Sequence, residues 1–372
     1  MKRLDSIQAL RAVAALLVMI CHAATEVDAG ASASASNLWL LVNAKGQFGV
    51  DIFFVVSGFV MMYIISGQRA GGAGATTSAT WFISERIVRV VPLYWVVTLL
   101  SVAIGLVVPA LKHKSFVTLP YVLRSLAFLP STNPATGAPE PVLGLGWTLN
   151  YEMFFYVVIS VVLLLGIRRV YLALVAIFAA LVAAGAWLHP ETIVLKSWTH
   201  TIILEFMFGA LFAQLRISGF RLGLPAQIVL FAAGVAGWLF TGLPIHGEFD
   251  LRGLVWGPPA ALIFAGVVLG RREAAYPKLL LLIGDASYSL YLTHLFVMRA
   301  TSIAVNHLPV GAAWRPAVFF AVFVPVAVGV SILSYRKFEV PTMRLGRRML
   351  RAWLSKPERV ESAAPVTPQA GT

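Results

Sequence analysis

The chain is built of long apolar runs that recur from one end to the other, separated by short segments holding most of its Lys, Arg, Pro and Gly. A helix needs about 20 apolar residues to cross about 30 Å of hydrocarbon, and in lipid every backbone N–H and C=O must be paired internally. This pattern predicts an all-α integral membrane protein of about ten transmembrane helices. They fall at 7–24, 48–66, 90–108, 145–165, 170–188, 199–215, 226–240, 254–269, 279–304 and 317–333, the sixth and eighth being short. Hydrophobic residues make up 59% of the chain and charged residues only 12%, against about 25% in soluble domains. Composition therefore excludes a soluble enzyme.

A formal charge of +13 invites a nucleic-acid partner, but such binding needs a basic face on a soluble module, and here the basic residues lie between the runs. Their sidedness explains them. With the N-terminus inside, inner segments hold 20 of the 29 Lys and Arg residues and outer segments hold 7, Arg252 among the latter; Arg11 and Arg299 lie within runs. The positive-inside rule then predicts that both termini are cytoplasmic. Lys2 and Arg3 before the first run look like the start of a signal peptide, but that run contains Arg11 and His22, and cleavage would invert the charge bias downstream. The single cysteine, Cys21, leaves no partner for an intramolecular disulfide and no Cys-based metal cluster; no metal is expected.

The expected organisation is one membrane domain, 1–345, followed by a basic, then disordered, cytoplasmic tail, 346–372. No internal repeat of the transporter kind is visible. Low-complexity linkers are expected at 29–36 and 70–79, and the Pro-rich segment 109–144 is the longest loop, a lip over an outward-facing site.

Ionisable groups at membrane depth are costly and point to function. Those within the runs are Arg11, His22, Asp51, Glu152, Glu205, Asp285, His294 and Arg299. Arg11 and His22 lie about 16 Å apart along one helix. Asp51, in the outer turn of the next, stands level with His22, so that a His–Asp pair could supply a base near neutral pH. Glu152 also falls in the outer half. Glu205, Asp285 and Arg299 sit near helix ends, where pairing or snorkelling suffices. Arg86 and Arg89, three residues apart at the inner mouth of the third run, suit a phosphate-rich cytoplasmic ligand or simply obey the sidedness rule.

Taken in order, these segments carry a series of motifs. Arg11 and His22 are separated by ten residues; Gly49, Val50, Asp51, Phe53, Phe54, Val55, Ser57, Gly58 and Phe59 form a Gly-Val-Asp-x-Phe-Phe-Val-x-Ser-Gly-Phe signature. Arg86, Arg89 and Pro92 precede Tyr94 and Trp95; Trp147, Glu152, Phe155 and Tyr156 stand in register, with Thr148 where a Ser is usual; the 284–294 run and Tyr335, Glu339 and Pro341 close the series. The chain thereby resembles the acyltransferase-3 family of bacterial membrane O-acyltransferases, and its opening resembles the exopolysaccharide-modifying branch. The resemblance implies a multi-pass protein of the bacterial inner membrane that moves an acyl group, most often acetyl, from acyl-coenzyme A to a hydroxyl of a surface or secreted polysaccharide. The acceptor would be a glycan or lipid-linked glycan, and polysaccharide assembly machinery a partner besides the lipid bilayer. It implies catalytic roles for His22, Asp51 and Glu152, donor binding by Arg11, Arg86 and Arg89, and acceptor contacts from Trp147, Tyr291 and His294. The competing class is a transporter or exporter of a glycan or small solute, whose buried Asp, Glu and His would relay protons.

Overall fold

The computed structural model describes residues 4–28, 41–70, 74–107, 118–241 and 251–354. The chain opens with α1 (Asp5–Asp28), α2 (Phe48–Ala70) and α3 (Ala75–Val107), and a short α4 (Leu119–Leu126) leads through a looped segment to α5 (Trp147–Leu164). α6 (Val170–Leu188), α7 (Ile193–Trp198) and α8 (Leu204–Ile217) follow, then α9 (Leu224–Phe240), α10 (Arg252–Val255) and α11 (Gly257–Val268). α12 (Lys278–Asp285) and α13 (Ser287–Asn306) form a bent pair. α14 (Arg315–Ser334) continues through a π-helical stretch, Tyr335–Glu339, into α15 (Val340–Leu354).

The structure is that of an integral membrane protein. Among the described residues, seven helical stretches are long and apolar enough to cross a membrane, and α12 with α13, bent by 79°, makes an eighth if the pair is one span. Each of the ten runs read from the sequence is largely helical where described, but length alone does not give ten crossings: α9 has 17 residues and α11 only 12. Twelve residues rise about 18 Å. The sixth run, expected to be short, is lengthened by α7 to Ile193–Ile217, 25 residues. Part of the expected linker at 70–79 is also helical, because Ala75–Ala79 forms the first turn of α3. The linker at 29–36, residues 109–117 of the Pro-rich loop and the tail from Ser355 lie outside the described residues.

Lipid gives helices little hydrophobic reason to associate, so contact area gained by close backbone approach matters more than in water. The α2 signature meets that need. A Cβ on Gly49 would come within 2.9 Å of Val18 on α1, and one on Gly58 would collide with the Phe206 carbonyl on α8. Gly209 on α8 faces the Val55 carbonyl in the same way, and Gly284 on α12 lies against the Gln8 backbone of α1. α1, α2, α8 and α12 thus pack with no side chain between backbones at the crossing points.

The bundle has a near end, where α1 begins, and a far end, where α1 finishes. α14 through α15 runs about 60 Å at 1.5 Å per residue, well beyond the hydrocarbon thickness. Its excess is the basic α15, docked at the near end by an Arg347–Glu85 ion pair of 2.9 Å. The domain boundary expected at 345 therefore falls inside a helix packed on α3.

Candidate active site

Asp51, in the first turn of α2, is completely buried and accepts two hydrogen bonds from Arg252, Nε to Oδ1 at 3.1 Å and Nη2 to Oδ2 at 2.9 Å. Arg252 also donates to the Gln47 carbonyl at 3.0 Å and lies 5.2 Å from the Trp256 ring and 5.8 Å from that of Trp147. Glu205 sits in the first turn of α8, near a helix end as expected, but it is wholly buried beside this pair and does not snorkel. Arg299, by contrast, pairs with Glu26 at 2.9 Å near the far end of α13.

The His22–Asp51 pair read from helical heights is not formed. Both Asp51 oxygens go to Arg252, because a guanidinium drawn into the bundle needs a counter-charge and the two-pronged match outcompetes a single imidazole N–H. His22 bonds His294 instead, Nδ1 to Nε2 at 3.1 Å, with ring centroids 5.2 Å apart. His294 is completely buried and its Nδ1 lies 3.0 Å from the Leu290 carbonyl. It has no surface left for the acceptor contact expected of it. A carbonyl can only accept, so His294 Nδ1 carries a hydrogen and its Nε2 must accept. His22 Nδ1 is then the donor, which leaves His22 Nε2 as the unprotonated nitrogen.

Two cavities flank this layer. The near cavity, about 190 Å³, is lined by Arg11, Arg86, Arg89, Glu152, Ser57 and Tyr156 together with apolar residues of α1, α2 and α13. Three arginines face one carboxylate there. Arg11 Nη1 donates to the uncharged Gln8 Oε1 at 3.2 Å, and the buried Arg86 has no hydrogen-bond partner for its Nε. Glu152 accepts from Ser57 at 2.7 Å and from Tyr156. It therefore belongs with the arginines, not with His22 as its expected height suggested. The far cavity, about 140 Å³, is lined by His22, Cys21, Gln47, Trp147, Leu145 and Arg252. Val50 and Tyr291 line both cavities. Tyr291 is held in that wall by donating to the Leu145 carbonyl at 2.9 Å and by meeting the Thr148 hydroxyl at 2.8 Å.

The remaining motifs hold this arrangement in place. Tyr288 donates to the Val90 carbonyl at 2.6 Å, tying α13 to the helix that carries Arg86 and Arg89, and Ser289 donates to Glu339 at 2.7 Å. Phe54 stacks on Phe206 at 4.7 Å and Phe206 on Phe155 at 4.4 Å, which fixes α5 against α2 and α8. The sequence reading missed Arg252, counted there as one of seven outer-loop charges, and missed the His22–His294 contact between residues 272 positions apart. The Pro-rich lip is held down where described: Tyr94 donates to the Ser125 carbonyl at 3.1 Å and Tyr121 to the Glu140 carbonyl at 2.9 Å.

The family profile described as an acyltransferase domain matches residues 4–336. Exopolysaccharide production protein ExoZ of Rhizobium meliloti (strain 1021) is 36% identical over 305 residues, covering 81% of this chain and 91% of that protein. Acyltransferase MdmB of Streptomyces mycarofaciens is 26% identical over 376 residues, 93% of each chain. Nodulation protein 10 of Rhizobium leguminosarum bv. viciae is 28% identical over 383 residues, 93% of this chain and 95% of its own. No solved structure matches. With its motif series, its helical membrane architecture and a family match over nearly its whole length, the chain belongs to the acyltransferase-3 family and is an acyltransferase.

Proposed function

We propose that this acyltransferase takes an acyl group, acetyl in the simplest case, from acyl-coenzyme A at the near end and places it on a hydroxyl of a surface or secreted polysaccharide at the far end, across the bacterial inner membrane. The observation that carries this reading is the pair of cavities, one with an excess of guanidinium groups and one with His22, that meet at Val50 and Tyr291. The acceptor class is supported by the similarity to an exopolysaccharide production protein, and the family membership leaves the exporter reading without support.

The near cavity fits the donor. Charge-assisted bonds from Arg11, Arg86 and Arg89 suit phosphate oxygens, with Glu152 as the counter-charge that keeps the guanidiniums apart. A cavity of about 190 Å³ takes the acyl and thioester end of the donor, so the nucleotide lies towards the near mouth. The donor supplies a carbonyl activated by its thiol leaving group. His22 Nε2 takes the proton of the attacking sugar hydroxyl, the new C–O bond forms as the C–S bond breaks, and the proton passes to the departing sulfur. His294 keeps His22 in the reactive tautomer, the role that a carboxylate plays beside many catalytic histidines. Arg252, immobilised by Asp51, brings fixed positive charge to the developing oxyanion.

Purified protein given acetyl-coenzyme A and the deacylated polysaccharide of its producing strain should release coenzyme A and acylate the glycan, as read by thiol titration and mass spectrometry. Donor consumption by the transporter class would be nil. In the same assay Arg86→Ala should raise the donor KM about tenfold or more, since a charge-assisted bond contributes roughly 1.5–3 kcal/mol; an unchanged donor KM removes Arg86 from the donor site.

The proposed orientation has both termini and the near end cytoplasmic, from the 20 to 7 charge asymmetry. With Cys21 replaced by Ser, cysteine placed at exposed Thr132 should react with a membrane-impermeant maleimide in intact cells once the outer barrier is opened, and cysteine at exposed Thr76 should not. The reverse pattern would invert the donor and acceptor sides.

A further inference from the structure

Beside the His22 cavity, at the far end, lies a larger groove of about 480 Å³ that the chemistry above does not use. Its size falls within the range of about 300–1,000 Å³ usual for small-molecule sites, whereas the His22 cavity at about 140 Å³ falls below it. Trp147 lines both, so the groove adjoins the reacting centre.

We propose that this groove, built by Trp147, Tyr151, Glu140, Asn150, Lys196 and His200, binds the sugar units that flank the acylated hydroxyl, so that the acceptor is recognised as an oligosaccharide. This rests on the reading of the protein as a polysaccharide acyltransferase. The aromatic side chains form a row: Trp147 and Tyr151, one helical turn apart on α5, meet edge to face at 5.9 Å, and the His200 ring lies 6.1 Å from that of Tyr151. A pyranose offers an apolar C–H face to such rings and a rim of hydroxyls to polar groups around them. Those polar groups are preset. Asn133 donates to the Glu140 carboxylate at 2.8 Å, and the Glu140 backbone is held by Tyr121, so the loop presents a fixed acceptor. His200 Nδ1 accepts the Ile202 N–H at 3.1 Å, which makes its Nε2 a donor. Lys196 and Glu140 balance in charge, which favours an uncharged polyol over an anionic lipid headgroup. The rim is open, for Pro139 and Lys196 are exposed.

The test uses the full-length protein in nanodiscs. The probes are single sugars and oligosaccharides of increasing length made by base deacylation and partial hydrolysis of the producing strain's own polysaccharide. Wild type should show an acceptor KM at least tenfold lower for the oligosaccharides than for the single sugars. Ala138→Trp, which fills the groove from its wall, should erase that advantage. His200→Asn, which keeps an acceptor for the Ile202 N–H, should raise the oligosaccharide KM about fivefold, with the donor KM unmoved in both. Folded variants, judged by an unchanged thermal unfolding temperature, that keep the wild-type oligosaccharide KM would overturn the groove. If wild type acylates no sugar, the functional reading fails by itself. Saturation-transfer NMR of the same oligosaccharides then still decides the groove: binding abolished by Ala138→Trp supports it, and binding equal to wild type overturns it.

Discussion

Replacing His22 by Gln should reduce acyl transfer by about 10²–10⁴-fold, the usual contribution of a general base, with no loss of inserted protein. Glutamine keeps a donor and an acceptor beside His294 but cannot take a proton near neutral pH. His22 is only half-buried and opens on a cavity, so the substitution leaves no void in the packed bundle. The companion change separates base from orienter. In His294→Gln the amide oxygen still accepts from His22 Nδ1, so activity should fall less than in His294→Leu, where that hydrogen loses its partner and the His22 tautomer is no longer fixed. Transfer is measured in membranes at matched expression. Near wild-type rates in His22→Gln would end the base assignment.

Arg252→Met is expected to have the largest effect on the fold itself. Removing one partner of a buried ion pair typically costs about 3–5 kcal/mol, because the other charge is left uncompensated. Here Asp51 is fully buried, with Glu205 beside it, so loss of the guanidinium leaves its carboxylate without a counter-charge. The variant should unfold at a clearly lower temperature in mild detergent, followed by intrinsic fluorescence and size-exclusion chromatography. Pairing it with Asp51→Asn should recover a substantial part of the loss, since the double variant no longer leaves Asp51 as an uncompensated charge. A single variant that unfolds at the wild-type temperature would show that the pair carries little of the packing.

The architecture and the site were unequally legible in the sequence. Helices follow from runs of apolar residues because lipid leaves a spanning chain few alternatives, and the family motifs marked the signature positions of α2 and α5. The close approaches at Gly49 and Gly58 explain why small residues occupy those places. What could not be read was pairing across the bundle. Helical rise gave His22 and Asp51 similar heights, but height says nothing about which way a side chain points around the helix axis. Arg252 illustrates the same gap: it follows a polar connection and counts as a loop charge, yet α10 turns it inward onto Asp51. Glu152, placed only by its height in the outer half, lines the near cavity because its helix, α5, faces both.

The wall formed by Val50 and Tyr291 has a consequence for the cell's energy supply. In the proposed orientation the cavity on the cytoplasmic side and the one on the outer side share Val50 and Tyr291 in their linings, so the barrier between them is a valine and a tyrosine wide. An acyl group is small and uncharged, while a hydrated ion carries a shell that a wall of two side chains excludes. Tyr291, pinned by Leu145 and Thr148, would then act as an electrical seal that confines charge movement to the one proton each transfer hands from the acceptor hydroxyl to the departing thiol.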